Sequence, residues 1–294
     1  MIRKASLVVG LLTSLHAAGD EGMWSFDSLP ANQLQAAYGF VPDAAWLKHA
    51  RLASLQFNGN CSASFVSPTG LIMTNHHCVD QCLRTLSAVQ KVNYNAKPFV
   101  ARSQATEVAC PDTEVEQLLS NDDVTDTVRA ATKGVPAEKF HDALKAVGNK
   151  LEKACVGADE ATVRCDLVDL YHGGQYQLFR YKRFNDIRMV FAPESTIGSF
   201  GGDPDNFNFP RYNLDVSFLR AYENGKPAAT PEFFAWRNEG AKGGEVIFVT
   251  GHPGGTDRLL TVAELEYQRD LELPRRLQTA AYKRGLMSSD FSHW

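Results

Sequence analysis

Six cysteines in a chain marked for export narrow the choice of fold more than any other feature. Arg3 and Lys4 open the sequence, Ala5 to Leu15 is mostly apolar, and His16-Ala17-Ala18 supplies small residues. Positive charge, apolar run and small residues in that order form the pattern of a secretory signal peptide over residues 1–18. The run is too short for a transmembrane helix. The mature chain is then expected to begin near Gly19 or Asp20, in the periplasm or secreted. Cys61, Cys78, Cys82, Cys110, Cys155 and Cys165 all follow that point. An even count in an oxidising compartment predicts disulfides. Cys155 and Cys165 are close enough in sequence to close a small loop.

Such a chain needs a core, and 294 residues with 44% hydrophobic content suffice for one. Thirty basic against thirty-four acidic residues give a net charge of -4, so no basic excess exists for binding nucleic acid. No other apolar run is long enough to span a bilayer, so no membrane partner is expected after signal cleavage. Leu29 to Ser54 reads as helix, broken by Gly39 and Pro42. Ser62 to Val66 and Leu71 to Thr74 read as a β-hairpin around Ser67-Pro68-Thr69-Gly70. Gln81 to Cys155 reads as largely helical. Tyr176 to Tyr181, Ile187 to Phe191, Asp215 to Tyr222 and Glu245 to Thr250 read as strands, with turns at Asn224-Gly225 and Gly251 to Gly255. Thr256 to Arg284 returns to helix with a kink at Pro274. A mainly β body, residues 19–255, with a helical insertion over about 81–155 fits this order. Residues 256–294 then start a helical domain.

The chemistry concentrates in Asn60 to Cys82. A strand ends at Thr74-Asn75, and His76, His77 and Cys78 follow at once. This arrangement resembles trypsin-like proteases, in which Thr-x-x-His-Cys follows a strand and a second cysteine lies upstream. The resemblance implies a Cys61–Cys78 disulfide that holds the imidazole in place, as general-base catalysis requires. His77, directly before the cysteine, is the better base. His76 reads as a turn residue bonded to a backbone carbonyl. A competing reading has Cys61, His76 or His77, Cys78 and Cys82 bind structural zinc. The oxidising compartment disfavours it. Asp215, in an Asn-x-Asp ahead of an apolar strand, is the candidate acid to orient the base. By itself it would read as a turn-capping aspartate.

Taken together the motifs resemble the bacterial periplasmic dipeptidyl-peptidases of serine-peptidase family forty-six. The matching pieces are Asp20 to Trp24, Ser64 to Pro68, Thr74 to Cys78, Phe200 to Asn206, Phe209-Pro210-Arg211 through Asp215, and Gly251 to Gly254. The resemblance implies a trypsin-like β-barrel, incomplete here, joined to the start of a helical domain. It implies release of dipeptides from the free N-terminus of oligopeptides, without a cofactor or metal. His77 matches the general base, Asp215 the orienting acid, and Asn206 a residue that binds the substrate α-amino group. An amide carbonyl can accept from an ammonium and so measure distance from the N-terminus. Phe207 stands where better-known members carry tryptophan, which keeps a ring face and loses an N–H donor. Asp203 and Asp205 offer oxygen ligands for calcium, but the rest of a calcium loop is missing and they read as turn formers or as support for the amine pocket. A homodimer of the full-length enzyme is a further expectation.

The family's catalytic serine lies near the C-terminus of a much longer chain, and no Gly-x-Ser-Gly segment follows Asp215 here. Ser199, in Gly198-Ser199-Phe200-Gly201-Gly202, precedes the acid and so breaks the trypsin order of base, acid and nucleophile. The expectation is a fragment of a longer protein, inactive by itself. The alternative is a non-catalytic peptide-binding pseudoenzyme.

Overall fold

The computed structural model describes residues 22–199, 210–252 and 260–291. The signal peptide, Asp203, Asp205, Asn206 and Phe207 lie outside the described residues. The chain divides into two units, Met1–Leu47 and Lys48–Trp294. In the first, helix α1 (Ala31–Tyr38) stops at Gly39, whose φ of 66° is open to glycine and whose N–H donates to the Gln35 carbonyl. Asp43 then accepts from the Trp46 N–H at 2.7 Å at the start of α2 (Ala44–Ala53), whose residues from Lys48 on belong to the second unit. Both helices fall where Gly39 and Pro42 divide the expected helical stretch. Ser54 leaves the helix at once for β1.

The second unit runs β1 (Ser54–Phe57), β2 (Cys61–Phe65), β3 (Leu71–Thr74), α3 (Asp80–Gln90), β4 (Phe99–Val100), β5 (Val108–Ala109) and β6 (Val115–Asp123). It continues α4 (Thr125–Thr132), α5 (Ala137–Val156), β7 (Val163–Leu170), β8 (Gln175–Phe184), β9 (Asp186–Ala192), α6 (Ser195–Gly198), β10 (Ser217–Glu223) and β11 (Lys226–Pro227). Helices α7 (Val262–Tyr267) and α8 (Leu273–Phe291) end it, joined by a π turn at Gln268–Glu272. Pro274, which has no N–H to give back to the preceding turn, stands just after that π turn. Among the described residues no helix is long and apolar enough to cross a membrane.

All strand pairs are antiparallel, in the order β4-β9-β10-β3-β2-β1-β6-β8-β7, with β5 also on β9 and β11 on β10. Only Asn185 separates β8 from β9. Phe184 lies opposite Val115 of β6, and Asp186 lies opposite Tyr222 of β10. One long strand therefore passes from one neighbour to the other and closes the sheet on itself. The side chains agree with that closure. Leu55 and Phe57, Ala63 and Phe65, Ile187 and Met189, and Leu219 and Ala221 fall at alternate positions, and all enter one buried cluster with Ile72 and Val115. Period-two burial along these strands is what a barrel interior demands.

The β2–β3 hairpin, β8, β9 and β10 form where the sequence predicts strands. Two expectations need correction. The stretch 81–155 is not a helical insertion throughout. It holds α3, α4 and most of α5, but also β4, β5 and the nine-residue β6, which pairs with both β1 and β8. A register shift between Leu118 and Ser120 breaks the alternation of β6, and its second half is polar. The period-two signature of a strand is thus blurred. Glu245 to Thr250 forms no strand among the described residues, and Ile247 and Val249 are exposed at 67% and 93%. A strand needs a neighbour for its backbone groups, and no described strand pairs with it.

Candidate active site

The β3 strand delivers its chemistry where it ends. Thr74 donates its hydroxyl to the Ser62 carbonyl at 2.9 Å, which locks the end of β3 to β2. The Cys61–Cys78 disulfide, across 17 residues with Cα atoms 6.3 Å apart, ties the following turn to the start of β2. Closing a loop of that size stabilises by about 3 kcal/mol in the chain-entropy model. Cys82–Cys110 and Cys155–Cys165 complete the bridges, the second closing the short loop foreseen from spacing.

His77 sits on the pinned turn with its side chain half exposed, while the Asp215 carboxylate, just before β10, is 2% exposed. The carboxylate meets His77 twice. Oδ2 lies 2.8 Å from Nδ1, and Oδ1 accepts the His77 backbone N–H at 3.1 Å. Asn75 donates from Nδ2 to the Asp215 carbonyl at 3.1 Å and to Oδ2 at 3.3 Å. Arg211 donates to Oδ2 at 2.8 Å. A carboxylate amid these donors accepts from the ring, so Nδ1 carries the hydrogen and Nε2 is the basic nitrogen.

His76 goes the other way. It is buried, and its Nδ1 faces the Ser217 hydroxyl at 3.4 Å rather than a backbone carbonyl. Gly198 packs so closely on the ring that a Cβ there would overlap it. Burial pushes the His76 imidazole below its ordinary range, and neighbouring His77 adds to that, while Asp215 and Asp80 pull the other way. The buried histidine therefore underpins the turn, and the half-exposed ring is the one that meets the carboxylate.

The second glycine-rich turn also reaches this strand pair. His252 donates its backbone N–H to the Ser62 hydroxyl at 2.8 Å, and a Cβ on Gly251 would overlap that hydroxyl. Among the described residues the buried His252 Nε2 has no hydrogen-bond partner, and burial lowers the tendency of this ring to protonate.

Ser199 caps α6, donating its N–H to the Ser195 carbonyl at 2.9 Å. The ligand atoms of Cys61, His77 and Cys78 do lie within 4.8 Å of one another, the spacing a metal would need. Cys61 and Cys78 are bonded to each other, however, and Cys82 to Cys110. A disulfide sulfur is not the thiolate that zinc requires, so the zinc reading loses its donors. Arg211 and Asn75 are contacts of the carboxylate to which the sequence reading assigns no role. The four-residue spacing of Arg211 and Asp215 within one motif is the only signal that could have suggested the pair.

A closed antiparallel sheet with an imidazole–carboxylate pair at the ends of two adjacent strands is the plan of a trypsin-like peptidase barrel. The chain belongs to the peptidase S46 family, which matches residues 19–293. It is 33% identical to an Asp/Glu-specific dipeptidyl-peptidase of Shewanella putrefaciens, over 93% of this chain and 39% of that protein. It is 31% identical to dipeptidyl-peptidase 7 of Porphyromonas gingivalis, over 98% of this chain and 43% of that one. The crystal structure of Porphyromonas endodontalis DPP11 in complex with the dipeptide Arg-Glu superposes with a TM-score of 0.66 at 29% identity, covering 76% of this chain and 36% of that chain. The chain thus spans about two-fifths of the length of the relatives it matches.

Proposed function

We propose that this chain is the base-and-acid portion of a serine-type dipeptidyl-peptidase that releases dipeptides from the free N-terminus of oligopeptides in the periplasm. His77 takes the proton from a serine supplied by sequence beyond Trp294 and returns it to the leaving amine. Asp215 holds the imidazole by its Nδ1–H and stabilises the imidazolium formed during attack. Asn206 accepts from the substrate ammonium, with Phe207 offering a ring face beside it. The full-length enzyme works as a homodimer. The observation that carries this reading is the two-point contact of one buried carboxylate with the ring and backbone of His77. An acid that merely capped a turn would have no need of the ring.

The test uses the full-length protein, including sequence downstream of Trp294, on dipeptidyl fluorogenic substrates with free or acetylated N-termini. Wild type is expected to cleave only the free form. His77→Ala and Asp215→Ala are each expected to lose about 10³- to 10⁴-fold or more in kcat, with circular dichroism unchanged. Residues 1–294 by themselves are expected to show no turnover, since base and acid cannot form an acyl-enzyme without nucleophile and oxyanion donors. Undiminished turnover in either variant would overturn the assigned roles. Peptide binding without turnover by the wild type would replace the reading with that of a pseudoenzyme.

A further inference from the structure

The acid beside His77 has an unusual companion. Orienting a histidine takes an acceptor for Nδ1–H and neutral donors to hold that acceptor still. Asn75 and the His77 backbone N–H already supply neutral donors. Arg211 adds a full positive charge, and places it on Oδ2, the same oxygen that faces the imidazole, at the same 2.8 Å. The guanidinium is itself aimed. Its Nε donates to Asn213 Oδ1 at 2.9 Å, and Asn213 Nδ2 donates to the Gly198 carbonyl at 3.4 Å. The Arg211 side chain is 39% exposed against 2% for Asp215, so the cation approaches a buried anion from the solvent side.

The consequence is electrostatic. The orienting acid helps catalysis by stabilising the imidazolium, and that help scales with the negative charge left to face the ring. A cation sharing the same oxygen offsets part of it, and at this distance a partly buried pair is only weakly screened. The same hydrogen bond also prevents the carboxylate from rotating away.

We propose that Arg211 is a positioning residue that sets the strength of the base: acting through Asp215, it fixes the carboxylate and offsets part of the charge that stabilises the His77 imidazolium. This rests on the dipeptidyl-peptidase reading above. Among the described residues Arg211, on the loop before β10, is bonded to Asp215; His76, on the turn after β3, feels both Asp215 and His77, and Asp80 at the start of α3 acts on His76. The Arg211 charge is the one in direct contact with the carboxylate on the solvent side.

The experiment is the pH profile of kcat/KM, from pH 5 to 9, of the full-length enzyme and its Arg211→Met, Arg211→Gln and Arg211→Lys variants. Methionine and glutamine remove the charge, and lysine keeps it. The acid limb of both neutral variants is expected to move to higher pH by about half to one unit, with a lower plateau from a less constrained carboxylate. The Arg211→Lys limb is expected to stay at the wild-type position. The pH dependence of inactivation by an organophosphonate, which needs the base but not turnover, provides a second reading where the plateau is low. Two neutral variants guard against one that does not fold. An unmoved limb in the neutral variants overturns the proposal, whatever happens to the plateau. An equal movement in Arg211→Lys overturns the charge argument too. Absence of dipeptidyl-peptidase turnover in the wild type would instead sink the functional reading.

Discussion

At the scale of single residues, His76 and His252 carry a cost that appears only on acidification. Burial holds both rings below the ordinary histidine range in the folded protein. In the unfolded chain they protonate near pH 6.5. Above that pH both states are neutral and stability is unaffected. As pH falls through 6.5 toward the folded-state values, the unfolded chain gains protons that the folded one refuses, so stability drops. The urea midpoint is therefore expected to fall between pH 7.5 and 5.5, before most carboxylates titrate, and to fall less in His76→Gln. A His76→Gln profile as steep as wild type would refute the assignment for that ring. The sequence favours His77 over His76 because it directly precedes Cys78, and the structure puts the His77 ring against Asp215. The opposite fates of the two side chains were not legible in the sequence. They depend on Gly198 pressing on one ring and Asp215 meeting the other, across separations of 122 and 138 residues in numbering that no local pattern encodes. Asn206 and Phe207 rest on motif resemblance alone.

At the scale of elements, the outer wall of the barrel is held by charge. Glu116 of β6 has a side chain only 3% exposed and receives Arg164 of β7 through two bonds of 2.6 Å, with Arg183 of β8 at 3.3 Å. Arg164 also binds Asp166 and reaches Gln56 of β1 at 2.9 Å. Glu116→Ala would leave two guanidinium groups facing each other without their shared anion, at a cost of about 3 kcal/mol. Glu116→Gln, which keeps the shape and loses the charge, is expected to lie between that variant and wild type. A shift of the urea midpoint at constant slope measures both, and a midpoint for Glu116→Ala at the wild-type value would reject the network. This cluster also explains why β6 escaped a reading by hydrophobic period. Glu116 is buried by pairing rather than by apolarity, so a strand position that faces other strands looks solvent-bound in the sequence. Glu245 to Thr250 failed in the opposite sense. Its apolar, largely β-branched run is genuine, but a ladder partner is a property of the surroundings and not of the segment.

On the scale of the whole molecule, the barrel belongs to two stretches of chain that meet at Asn185. Residues before it contribute β1 to β8 and His77, and residues after it contribute β9, β10 and Asp215. They face each other along β3 with β10, and along β4 and β5 with β9. All three disulfides lie in the earlier stretch. A single nick at Asn185 would therefore leave an acid-bearing half tethered by no covalent bond, held by hydrogen bonds and packing only. The two halves become a complementation pair, in which reassembly restores the imidazole–carboxylate contact. Co-expression of the full-length protein split at this bond is expected to recover dipeptide release, whereas either half by itself yields none. Recovery by one half would place the hydrolytic machinery elsewhere.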